Sequence, residues 1–132
     1  MQLRLEADRH EVSAGESLAV RVVVLNDSYE PITVDRRLLV GPNPVPEQPG
    51  GTPLPVSLEP AFPDDERNLV SLSPWCLYGR ERSWSHFSPG RVTVHAYLLR
   101  WPATSLLADR PGDPDALLLA APPLSLTVRA AP

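Results

Sequence analysis

The chain has 132 residues, 17 of them proline, and a formal net charge of −4. One domain accounts for that length, and proline at more than twice its usual share of about 5% excludes long helices. All 12 basic residues are arginine and no basic stripe forms, which argues against nucleic acid as a partner; Arg36-Arg37 and Arg80-Glu81-Arg82 read as solvated turn residues. No apolar run approaches the ~20 residues of a spanning helix, so no membrane insertion is expected.

In chain order, residues 2–7 alternate and predict a first strand with Leu3 and Leu5 inward. Residues 8–13 read as a polar link with His10 and Val12, and Ala14-Gly15-Glu16 as a turn. Residues 17–25 give the strongest strand. Leu18, Val20, Val22 and Val24 share one face, and Ala19, Arg21, Val23 and Leu25 the other. That second face turns apolar towards Leu25, which predicts a cover or a partner there. Residues 26–31 form a turn by composition, and residues 32–35 return in an expected antiparallel hairpin, extended by Leu38-Leu39-Val40.

Residues 41–53, with five prolines and Gly50-Gly51, read as an extended loop of polyproline II character rather than a strand. Residues 54–59 predict an edge strand carrying Pro55, and residues 60–68 an acidic break with Asp64-Asp65-Glu66 solvated. Residues 69–72 form a short strand stopped by Pro74, with an irregular continuation over 75–78. Within 80–87, Trp84 is expected to anchor to the core. After the turn Ser88-Pro89-Gly90, residues 91–100 predict the second strong strand, with Val92, Val94, Ala96 and Leu98 on one face and Thr93, His95, Tyr97 and Leu99 on the other. Residues 102–108 allow one or two helical turns. Asp113-Pro114-Asp115 is a helix start, and Leu117-Leu118-Leu119 fits either a short helix or an edge strand. Residues 124–129 alternate and close the domain.

Seven to eight short strands with at most one or two helical turns predict an all-β domain: a two-sheet antiparallel sandwich filling residues 1–132. Two segments carry a family resemblance. Gly15-Glu16-Ser17-Leu18-Ala19-Val20-Arg21-Val22, followed by Leu25-Asn26-Asp27-Ser28, resembles the second strand and turn of bacterial immunoglobulin-like (fibronectin-III-like) domains. Ser88-Pro89-Gly90-Arg91-Val92-Thr93-Val94-His95-Ala96-Tyr97 resembles their penultimate strand. The resemblance implies an immunoglobulin-like sandwich. The chain departs from antibody-type domains in lacking paired cysteines and in carrying Val92 where a tyrosine often stands. Such a fold hosts many roles and leaves activity open.

Signatures of chemistry are absent from the residues. His10, His86 and His95 lack the spacing of a metal site. Asp109, Asp113 and Asp115 lack the pattern of a calcium loop. No nucleophile elbow or phosphate-cradling loop occurs. Cys76, among Trp75, Leu77 and Tyr78, reads as a buried inert thiol. The expectation is therefore a non-enzymatic module without catalytic residues, metal or cofactor. The candidate binding residues are Trp75, Tyr78, Trp84 and Trp101, since loop aromatics give large contact area at low entropic cost. Tyr97 and Leu99 join them, with Val23 and Leu25, as apolar outer-face positions. Three functions follow. The first is protein–protein contact, with another protein or with itself as a homodimer. The second is carbohydrate or other ligand binding on at least two coplanar exposed rings. The third is proteinase inhibition through loops 41–53 and 101–123. Residues 1–6 lack the form of a signal peptide, which with the lone Cys76 predicts a cytoplasmic protein, or a secreted one if the chain is a domain cut from a longer one.

Overall fold

The computed structural model describes residues 1–46, 68–85, 89–101 and 110–130. The expected polyproline stretch over 47–53, the edge strand at 54–59, Asp64-Asp65-Glu66, His86, Phe87, the helical turns at 102–108 and Asp109 lie outside these residues.

The described chain is mostly β-strand: β1 (Gln2–Ala7), β2 (Glu11–Ser13), β3 (Leu18–Leu25), β4 (Ile32–Asp35), β5 (Leu39–Pro46), β6 (Leu69–Leu72), β7 (Leu77–Trp84), β8 (Gly90–Leu99), β9 (Leu117–Ala120) and β10 (Leu124–Arg129). Two 3-10 turns, Arg36–Leu38 and Pro114–Ala116, interrupt the strands. The second begins as its sequence predicts: the Asp113 carboxylate accepts from the Asp115 amide, and Pro114 follows the cap.

Three sheets form. One is ordered β1-β3-β7; a second is ordered β2-β10-β8-β5, with β9 also on β8; β4 and β6 pair separately. The expected hairpin from β3 into β4 therefore does not occur. Both edges of β3 are already taken, by β1 on one side and by β7 on the other, and β4 crosses to β6 instead. The polar link at 8–13 contains β2, which lies parallel to the end of β10. Its ladder is extended by the Thr127 amide donating to the His10 carbonyl (2.9 Å) and the Ala14 amide to the Arg129 carbonyl (2.7 Å). A 3.0 Å ion pair joins Arg129 to Glu11.

The first half of the proline-rich 41–53 segment is also a strand. β5 carries Pro42, Pro44 and Pro46, yet pairs with β8 from Leu39 to Pro46. Two features reconcile this with proline chemistry: among the described residues β5 pairs only with β8, at the end of its sheet, and the register shifts between Val40 and Asn43. Prolines are tolerated at such edges and irregularities. Gly41 is required there. Its φ is +106°, and a Cβ would lie 2.7 Å from the His95 carbonyl oxygen.

Alternation places Val22 and Val24 of β3 against Leu3, Leu39, Ala96, Leu98, Val34 and Leu72 in one core cluster. Leu18 and Val20 meet Val12, Val92, Val94, Leu126 and Val128 in a second. Because later residues of β3 meet later residues of β8, these two strands run the same way in facing layers, and their C-terminal ends share one end of the molecule. Arg80 of β7 fastens the layers. Its half-buried guanidinium donates to the carbonyls of Leu39 (2.8 Å) and Arg36 (2.9 Å), and burial lowers its pKa from the usual arginine value.

Candidate functional site

The end of the molecule where β3 finishes is organised by Asn26, which is wholly buried. Its Nδ2 donates to the Glu30 carbonyl (2.8 Å) and the Leu72 carbonyl (3.0 Å). Its Oδ1 accepts from the Ser28 amide (3.0 Å), and the Ser28 hydroxyl lies 2.7 Å from the same oxygen. The Asn26 backbone is equally committed: its amide donates to the Cys76 carbonyl (3.1 Å), and its carbonyl accepts from the Trp75 amide (2.7 Å). One residue thus fixes the 26–31 turn to the end of β6 through its side chain and to the turn before β7 through its backbone. A buried amide with all of its groups engaged holds its neighbours in a single arrangement.

That second turn runs Ser73-Pro74-Trp75-Cys76, closed by the Cys76 amide donating to the Ser73 carbonyl (3.0 Å). Trp75 has φ +63°, the left-handed region, at the position where a type II turn calls for glycine. Ser13-Ala14-Gly15-Glu16 closes in the same way, with the Glu16 amide on the Ser13 carbonyl (3.0 Å), and there glycine occupies the position at φ +90°. A bulky residue in this region is an outlier that costs free energy. Trp75 does not recover it by burial, because the residue is 59% exposed. Its ring meets the edge of Tyr29, which is 88% exposed, with centroids 6.3 Å apart and planes at 80°. Leu77, 56% exposed, continues the patch and stands opposite Leu25 across the β3–β7 ladder.

The sequence-predicted residues separate into two groups. Trp75 and Trp101 are exposed. Tyr78 and Trp84 are half-buried, because alternation turns them to the inner face of β7, where Tyr78 packs on the first core cluster and Trp84 on the second. Tyr97 and Leu99 are not outer-face contact residues. They are buried with Val40 and Ala116 in a third cluster, covered where the Pro114–Ala116 turn folds back and the Arg100 amide donates to the Ala116 carbonyl (2.7 Å). Val23 is also buried, and Leu25 half-buried. Cys76 is exposed rather than buried. The last paired row of its sheet is Gln2–Leu25–Leu77, so Cys76 lies beyond the core. Tyr29 was hidden in a turn read only for its Asn, Asp and Ser content. The Asn26 hub was equally invisible, since its partners include Leu72, 46 residues away in sequence, and Trp75 and Cys76 beyond it.

Among the described residues no group of three or more His, Cys, Asp or Glu is placed to hold a metal ion, and no helix is long and apolar enough to cross a membrane. Comparison with protein-family models, with curated proteins and with solved structures finds no match to this chain.

Proposed function

We propose that the chain is an immunoglobulin-like β-sandwich working as a non-enzymatic protein-binding module, with Tyr29, Trp75 and Leu77 as its contact tip. The observation that carries this reading is Trp75: a strained backbone spent on displaying an exposed ring. The polar groups beneath the tip are occupied with building it. The Asn26 amide and Ser28 hydroxyl bond to neighbouring groups of the chain, which leaves an aromatic and aliphatic surface to meet a partner. Aromatic side chains held in place by such a scaffold are the usual anchors of protein interfaces. The near-perpendicular rings of Tyr29 and Trp75 offer no shared flat platform of the kind a sugar stacks on, which favours protein over carbohydrate.

Connectivity supports the architecture. β1-β3-β7 follows the order A-B-E of immunoglobulin domains, and β10-β8-β5 the order G-F-C. The separate β4–β6 pair departs from that pattern.

The exposed Cys76 provides the test, since it flanks Trp75. Labelling it with a benzophenone maleimide and irradiating in extract from the native host should give a discrete protein adduct. The adduct should disappear in a Trp75→Ala, Leu77→Asp double variant that melts as the parent does. Adducts of equal pattern and yield in parent and variant refute the tip.

A further inference from the structure

The outer face of β1-β3-β7 runs down from the tip in registered rows: Gln2–Leu25–Leu77, then Arg4–Val23–Gly79, then Glu6–Arg21–Glu81. Its middle is bare. Gly79 sits inside a strand with no left-handed φ, and a Cβ there would meet only ordinary contacts, 3.5 Å from the Val22 carbonyl oxygen and 3.8 Å from Val23 Cγ2. Neither backbone geometry nor space explains this glycine, which weakens a strand; an exposed strand glycine of this kind marks a place where another chain comes close. Above it stand Leu25 and exposed Leu77. Below it the face is acidic. Arg21 is ringed by Asp8 (3.0 Å), Glu81 (3.3 Å) and Glu6 (3.9 Å), and Arg4 reaches Glu6 at 3.7 Å. Three carboxylates against two guanidiniums leave one negative charge at that end, on a chain of net charge −4.

Resting on the protein-binding reading above, we propose that this face receives an extended polypeptide segment of the partner. The segment sets an apolar side chain over Gly79, against Leu25 and Leu77, and a basic side chain against Glu6, Asp8 and Glu81. The Val23–Gly79 and Arg21–Glu81 rows are two residues apart, roughly 7 Å along the strand, so the two partner side chains belong at positions i and i+2 of an extended segment. A second copy of this chain fits less well. Laid on itself, the face would set glycine against glycine and bring its carboxylates onto either an apolar end or more carboxylates.

The test selects a phage-displayed library of random dodecapeptides on the intact protein, then measures the best peptide, fluorescein-labelled, by fluorescence anisotropy. The expected motif is Arg or Lys two positions from Leu, Ile or Phe. Gly79→Val should keep or raise Tm yet weaken binding at least tenfold, and Glu6→Gln with Glu81→Gln should weaken it several-fold. Acid-rich selected peptides overturn the proposal, as does a library with no enrichment. Peptides whose affinity falls with Trp75→Ala but not with Gly79→Val overturn it while leaving the tip intact. A sedimentation mass that doubles in the parent and not in Gly79→Val overturns it in favour of self-association. Equal Cys76 adducts in parent and variant, with the peptide results as expected here, refute the tip and not this face.

Discussion

Replacing Trp75 separates what the residue does for the fold from what it does for a partner. Trp75→Ala and Trp75→Gly both remove the ring and its edge contact with Tyr29, so they differ only in the Cβ held at φ +63°. An L-residue in the left-handed region costs roughly 1–2 kcal/mol that glycine avoids, while glycine gives back about 0.5–1 kcal/mol through its freer unfolded chain. The Gly variant should therefore be the more stable of the two by about 1 kcal/mol. With an unfolding entropy of about 2.1 cal/mol/K per residue, that difference moves Tm by roughly 3–4 °C. The order is the reverse of the one found inside helices and strands, where alanine is favoured. Urea unfolding followed by far-UV circular dichroism, with Tm from calorimetry, measures it. An Ala variant as stable as the Gly variant, or more so, would mean that Trp75 carries no backbone strain, and the main support for the tip would fall.

Asn26→Ala leaves the buried Leu72 carbonyl without its donor and frees the 26–31 turn; it should cost about 2–3 kcal/mol, read as a lower urea midpoint at unchanged m. Gly41→Ala drives a methyl into the His95 carbonyl at φ +106°, whereas Gly15→Ala at φ +90° meets open space. The first should destabilise by about 3 kcal/mol and the second by about 1 kcal/mol in parallel denaturant titrations. The Asp35 carboxyl is held below its ordinary pKa, first by the hydrogen bond from the Arg37 side chain, whose Nη2 lies 2.6 Å away. A carboxylate whose folded pKa is depressed adds stability above its unfolded pKa of about 3.9 and loses it as pH falls through the folded value. A double-mutant cycle of Asp35→Asn and Arg37→Gln should thus show coupling of about 1 kcal/mol at pH 7 that fades below about pH 4; coupling unchanged at pH 2.5 would contradict the assignment.

Strands β1, β3, β6, β8 and β10 were legible because each shows its own alternation of buried and exposed residues. What escaped was pairing. β2 is three residues long and polar at both ends, and only its neighbour β10 makes it a strand. β5 looked like a loop because proline forbids a central strand, and sequence does not say which strand lies at an edge. β4 followed β3 so closely that a hairpin was the natural expectation, and only the prior claims of β1 and β7 on β3 prevent it. The site divides likewise. Trp75 was one of four candidate aromatics, and Trp84, which proved half-buried, looked the better candidate for exposure. The exposure of Cys76, the burial of Tyr97 and Leu99, and the approach of Tyr29 all depend on segments distant in the chain.

The parallel alignment of β2 with β10 has a mechanical consequence. Tension applied to the chain ahead of β2 and behind β10 pulls these neighbours in opposite directions along their shared axis. The load then falls on the whole ladder together: Thr127 against Glu11, Val128 against Val12, Arg129 against Ser13, and the flanking bonds at His10 and Ala14. In this shear geometry the bonds must break at once, whereas an antiparallel hairpin pulled from its open end unzips one bond at a time. The short polar strand that sequence did not reveal is thus the segment that resists a pull applied across it without unzipping.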